Sequence, residues 1–206
     1  MESRNLRYRQ DNRSEMSNTI RAFIAIELPE DVIAFIGKIQ EGVGSYGFKV
    51  RWVRPENIHL TLKFLGEINN QDIKKAGDAI ISAASENASM SLGAKGIGVF
   101  PGVKRPRVLW TGITGQIKGL SDLQKTLDEK LETVGFPKEK RPFRGHLTIA
   151  RVKGNIDARR LIDAMKEFGK FESKKFMVDE MVLFRSELKP SGAEYTKLMN
   201  AALNAK

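Results

Sequence analysis

The stretch "NIHLTLKFLG", residues 57–66, holds one of the two histidines of a 206-residue chain. The other histidine lies in "GHLTIARVKG", residues 145–154. Both read His-Leu-Thr-aliphatic. Thr is 8 and Leu 17 of the 206 residues, so random order would place Leu-Thr after both histidines with a probability of about 10⁻⁵. Each run has the length and apolar content of a short strand, and a strand sends alternate side chains to opposite faces. His59 and Thr61 therefore share one face, while Leu60 and Leu62 take the other. His146 and Thr148 stand in the same relation to Leu147 and Ile149. The histidines are 87 residues apart (146 − 59), far too long for a solenoid repeat. Two lobes related by an approximate two-fold axis fit that spacing, with one such strand in each lobe.

The chain outside these strands reads as interleaved strands and helices. Strands are expected over 20–28, 48–53, 59–65 (stopped by Gly66), 89–99, 107–111 and 146–152, with one or two more in 171–184. Helices are expected over 30–46, 71–85, 117–134 and 157–168. Residues 1–19 are polar and charged, lack an apolar signal core, and read as a disordered extension; residues 20–206 read as one bilobal domain. No run approaches the roughly 18 clean apolar residues of a membrane span, so no membrane partner is expected and the cytoplasm is the default address.

Composition narrows the chemistry. There is no cysteine, which excludes disulfides, a thiolate nucleophile and cysteine-ligated metal. Lys and Arg total 35 against 25 Asp and Glu, a formal net charge of +10 that suits a polyanionic partner or an anionic substrate. Two basic loops, around Lys104, Arg105 and Arg107 and around Lys138, Lys140, Arg141 and Arg144, are candidates to follow a nucleic-acid backbone. A solvated rim is the plainer alternative.

Two imidazoles and two hydroxyls in one cleft suit in-line displacement at phosphorus. One histidine can deprotonate the attacking oxygen while the other, charged, protonates the leaving oxygen. The threonine hydroxyls can donate to non-bridging phosphate oxygens. No cofactor or metal is called for: two histidines without nearby carboxylates make a poor metal site. A single His-Leu-Thr is most often structural, but neither core packing nor metal binding asks for Thr at both places.

With these motifs the chain resembles the 2H phosphoesterase superfamily, and specifically its RNA 2′,3′-cyclic phosphodiesterase branch, also called the 2′-5′ RNA ligase family. The similar stretches are "RAFIAIELP" (21–29), "WVRPENIHLTLKFLGEI" (52–68), "PRVLWTGI" (106–113), "PFRGHLTIARV" (142–152) and "LFRSELKPSGAEYTKL" (183–198). Gly145 departs from the family, which usually has Pro before the second histidine. The resemblance implies an α+β fold of two pseudo-symmetric lobes, whose antiparallel sheets form a central cleft with helices on the outer faces. It implies metal-independent hydrolysis of RNA 2′,3′-cyclic phosphate ends, or of nucleoside 2′,3′-cyclic phosphates, to 2′-phosphates by a monomer. His59, His146, Thr61 and Thr148 would be catalytic, with His146 activating water and His59 protonating O3′ or the two roles reversed, since the sequence does not orient the substrate. The alternatives are 2′-5′ RNA ligation and non-catalytic RNA-end binding. Phe64 and Arg151, each five residues after a histidine, are candidates to hold the nucleobase between a ring and a planar cation; the alternatives are that Phe64 is core and that Arg151 reaches the phosphate. Strict alternation puts them on the wrong face, so this role requires a bulge or a strand end there.

Overall fold

A computed structural model describes residues 19–205; the expectation for the N-terminal extension lies outside them, save for Thr19. In chain order the elements are β1 (Ile20–Ile26), α1 (Glu30–Gly44), β2 (Val50–Trp52), a 3₁₀ turn (Pro55–Asn57), β3 (Leu60–Ile68), α2 (Asn70–Ser85), β4 (Met90–Phe100) and β5 (Val108–Gly115). They continue with α3 (Ile117–Thr133), β6 (His146–Val152), α4 (Ala158–Phe168), β7 (Phe176–Val178), β8 (Glu180–Lys189) and β9 (Gly192–Ala202). The strands run in the order β7-β4-β5-β6-β3-β1-β8-β9, with β2 also on β6. Every neighbouring pair is antiparallel.

The two halves of this sheet mirror one another. Outward from the centre, one half reads β3-β1-β8-β9 and the other β6-β5-β4-β7. They meet at a single ladder position, Leu60 opposite Leu147. The α+β, two-lobed, antiparallel architecture implied by the resemblance is the one observed.

Helices form where apolar residues recur at helical spacing. Val32, Ile36, Ile39 and Val43 make the buried stripe of α1, and Leu120, Leu123, Leu127 and Leu131 that of α3. Asn69 and Asp72 close a reciprocal capping box at the start of α2. The buried face of α2 is Ala-rich, and Gly77 lets it approach β9, since a Cβ there would stand 2.7 Å from Met199 Sδ. Leu60, Leu147, Ile24 and Leu109, all fully buried, lie in the large core that these helices also fill. A small second cluster, Phe23, Ala25, Val182 and Phe184, occupies the opposite face of β1 and β8.

Three readings of the strands are corrected. β3 runs through Gly66 to Ile68, because Gly66 takes a positive φ of 77° at an irregularity instead of ending the strand. β5 extends to Gly115, well past Thr111. The edge strand β9, not anticipated at all, pairs along β8 as the second arm of a long hairpin. Its apolar alternation is weak because most of its side chains are exposed or half-exposed.

Candidate active site

The Leu60–Leu147 pairing sets the site geometry. Residues directly opposite in an antiparallel ladder point to the same face, and both leucines point into the core. Their neighbours must therefore emerge together on the other face. Counting from that register, His59 lies opposite Thr148 and Thr61 opposite His146. The four side chains form a quadrilateral with the histidines on one diagonal and the threonines on the other. His59, Thr61 and Thr148 line a cleft of about 620 Å³. His146 adjoins it by register and packs edge-on to Phe100, ring centroids 5.0 Å apart.

Both imidazoles are oriented by one device. His59 Nδ1 lies 2.9 Å from the carbonyl of Asn57, and His146 Nδ1 lies 2.7 Å from that of Arg144. A carbonyl only accepts, so each Nδ1 carries the hydrogen. Nε2 is then the proton-accepting nitrogen of each neutral ring. The Asn57 side chain also donates to the carbonyl of Ala193 at 2.8 Å, which ties the turn before His59 to the start of β9. Gly145 leaves the second motif intact: β6 begins at His146 itself, and the Arg144 contact holds its entry.

The surroundings of the two rings differ. His59 stacks on Phe23 with centroids 4.7 Å apart and planes at 25°, and meets Tyr195 edge-on at 5.3 Å. This aromatic box desolvates the ring and pushes its pKa down to about 4, although the bond to Asn57 works in the opposite direction. Unfolding frees the ring to titrate near 6.5. Between about pH 6.5 and 4 the unfolded chain thus binds a proton that the folded chain refuses, and stability falls as pH drops through this window. The loss attached to His59 should reach about 3 kcal/mol near pH 4. Urea unfolding at pH 7 and pH 4.5 checks this: the wild type should lose more stability than His59→Phe, and equal losses would show that His59 is not the group concerned.

Phe64 and Arg151 reach the face of His59 and the threonines through matched bulges. Along β3, Ile24 pairs with Lys63 and Ala25 with Thr61, so Leu62 is an extra residue and the alternation flips. Along β6, Trp110 pairs with Thr148 and Leu109 with Ala150, so Ile149 is extra. Each bulge lies three residues after its histidine. Phe64 and Arg151 consequently line the cleft with His59 and the threonines. Phe64 is 61% exposed, so it does not belong to the core.

The first bulge also turns Lys63 inward, where it is only 5% exposed. Its ammonium meets Asp128 of α3 at 2.5 Å and the carbonyl of Pro137 at 2.7 Å. Asp128 in turn accepts from the backbone N–H of Glu139 at 3.2 Å. One buried ion pair thus joins the first motif strand to the loop that leads to the second.

The seven basic loop residues named above do not line this cleft; Lys138, for one, pairs with Glu132 at 2.8 Å. What the sequence reading missed is the aromatic box of Phe23 and Tyr195 and the role of Asn57. Phe23 and Tyr195 come from strands distant in sequence, whereas Asn57 stands inside the quoted motif.

Comparison with known proteins places this geometry. The family described as LigT like Phosphoesterase matches residues 26–110 and 112–195, and the chain belongs to that family of phosphoesterase enzymes. The chain is 34% identical over 179 residues to the RNA 2′,3′-cyclic phosphodiesterase of Methanothermobacter thermautotrophicus, covering 87% of this chain and 96% of the relative. It is likewise 34% identical over 180 residues to the protein of the same name from Thermotoga maritima, covering 87% and 93%. The crystal structure of TT0787 of Thermus thermophilus superposes with a TM-score of 0.75 at 28% identity, covering 91% of this chain and all of that one. The apo crystal structure of Escherichia coli LigT shares the fold, with a TM-score of 0.72 at 23% identity over 91% and 99%. Among the described residues no helix is long and apolar enough to cross a membrane.

Proposed function

We propose that this chain hydrolyses the 2′,3′-cyclic phosphate at RNA ends to a 2′-phosphate by metal-independent acid–base catalysis between His146 and His59. The observation that carries the proposal is the Leu60–Leu147 register, which brings both imidazoles and both threonine hydroxyls to one face of the sheet. His146 Nε2 takes a proton from water, whose oxygen bonds to phosphorus. The bond from phosphorus to O3′ breaks in line, and His59 Nε2–H protonates O3′. Thr61 and Thr148 donate to the non-bridging oxygens, where charge must be held through the transition state. The 3′-hydroxyl and the 2′-phosphate then leave, and the rings exchange protons with solvent.

The desolvated setting of His59 supports this assignment of roles. His59 is stacked on Phe23 with Tyr195 edge-on to it, whereas His146 meets Phe100 and Trp110 edge-on. His59 is neutral in the free protein at pH 7. A bound phosphate anion offsets the burial penalty and recruits the proton that an acid needs. Phe64 offers a π-face to the terminal base, and Arg151 offers a planar cation. Ligation would use the same step with an RNA 5′-hydroxyl in place of water, but an open cleft admits water at bulk concentration. A protein that only bound RNA ends would need neither matched tautomers nor two hydroxyls.

Incubation with adenosine 2′,3′-cyclic phosphate in excess EDTA tests the proposal. The expected product is adenosine 2′-phosphate alone, formed at the rate seen without EDTA. No turnover, or turnover only after a divalent metal is restored, would overturn it.

A further inference from the structure

The catalytic quadrilateral accounts for one phosphate, yet the cleft carries charge for more. β2 pairs with β6 so that Arg51 stands directly opposite Arg151. Both are exposed and both line the cleft that holds Thr148. Like charges directly opposite in a ladder destabilise it. Among the described residues no carboxylate forms an ion pair with either arginine, although Arg54 in the same cleft is paired with Glu56. The bulge at Ile149 sets Arg151 two ladder steps from Thr148, roughly 7 Å along the strand, and Arg51 lies on the next strand. Two unneutralised guanidinium groups one pleat repeat from the reacting phosphate are therefore placed for a second anion.

We propose that Arg51 and Arg151 clamp the phosphodiester on the 5′ side of the terminal nucleotide, so that the protein selects RNA chains over free cyclic mononucleotides. The inference rests on the cyclic-phosphate reading above and specifies its substrate. A guanidinium can stack through its plane and donate through its edge at the same time, so Arg151 can serve the base and the adjoining diester together. Arg51 has only the second task. Bidentate donation to the diester oxygens relieves the repulsion between the two side chains. Binding energy is thus gained only when a diester is present.

Arg51→Gln tests the clamp, with kcat/KM measured for adenosine 2′,3′-cyclic phosphate and for a diadenylate ending in a 2′,3′-cyclic phosphate. Wild type should favour the dinucleotide at least about tenfold, and the variant should lose about that factor on the dinucleotide alone. The log–log salt dependence for the dinucleotide should flatten by about 0.7, the slope of one phosphate contact on a single strand. The melting temperature should stay level or rise, because a repulsive pair has been removed. Equal losses on both substrates, or a wild type indifferent to chain length, would overturn the clamp. Anisotropy binding of labelled adenosine 2′-phosphate and diadenylate 2′-phosphate gives a readout that needs no turnover. A dinucleotide preference abolished by Arg51→Gln there would support the clamp even if the hydrolase reading failed, and its absence would sink the clamp alone.

Discussion

His59→Ala and His146→Ala should each lower hydrolysis of a nucleoside 2′,3′-cyclic phosphate by about 10²–10⁴-fold, because each removes one of the two proton-transfer partners. The double variant should be scarcely worse than the singles, since groups that act as a unit are not additive. The two singles differ in what rescues them. A substrate with sulfur in place of O3′ has a leaving group that needs no acid. On it, His59→Ala should recover most of its loss and His146→Ala should not. Recovery of His146→Ala instead would reverse the roles, and near-wild-type rates in either variant on the oxygen substrate would end the two-histidine scheme. Thr61→Ala and Thr148→Ala should cost less than either histidine, through lost hydrogen bonds to phosphate.

The second large effect lies behind the site. Lys63→Met leaves the Asp128 carboxylate, 13% exposed, without its cation, and breaking a buried pair from one side costs about 3–5 kcal/mol. The double variant Lys63→Met/Asp128→Leu removes both charges and should regain most of that stability. Denaturant unfolding of the two singles and the double completes the cycle. A loss under about 1 kcal/mol in Lys63→Met would mean that the pair is too well solvated to matter. The same pair links β3 to the loop before His146 through Pro137 and Glu139. A double variant that is stable but slow would therefore separate placement of the second motif from stability.

Much of this protein is legible in its sequence because the relevant physics is local. Helical spacing and terminal signals place all four helices within a few residues of their observed ends, and β6 coincides with its expected bounds. The two His-Leu-Thr runs place each histidine and its threonine on one face, because alternation along a strand needs no tertiary information. Their duplication also implies a two-fold arrangement and a phosphorus chemistry, ahead of any coordinates.

What is not local is not legible. Alternation alone would send Lys63 into the cleft and Phe64 into the core; the structure does the reverse. A bulge is a mismatch between two strands, and its position depends on which partner residues are already packed. Ile24 and Leu109 are buried on the core side of the neighbouring strands. They hold Lys63 and Ala150 beside them, and the extra residues Leu62 and Ile149 absorb the difference. For the same reason the sequence could not show that Arg51 faces Arg151, that Tyr195 closes over His59, or that burial desolvates the His59 ring. Each of these follows from chain segments brought together across the sheet, where the cost of desolvation is set by neighbours far away in sequence.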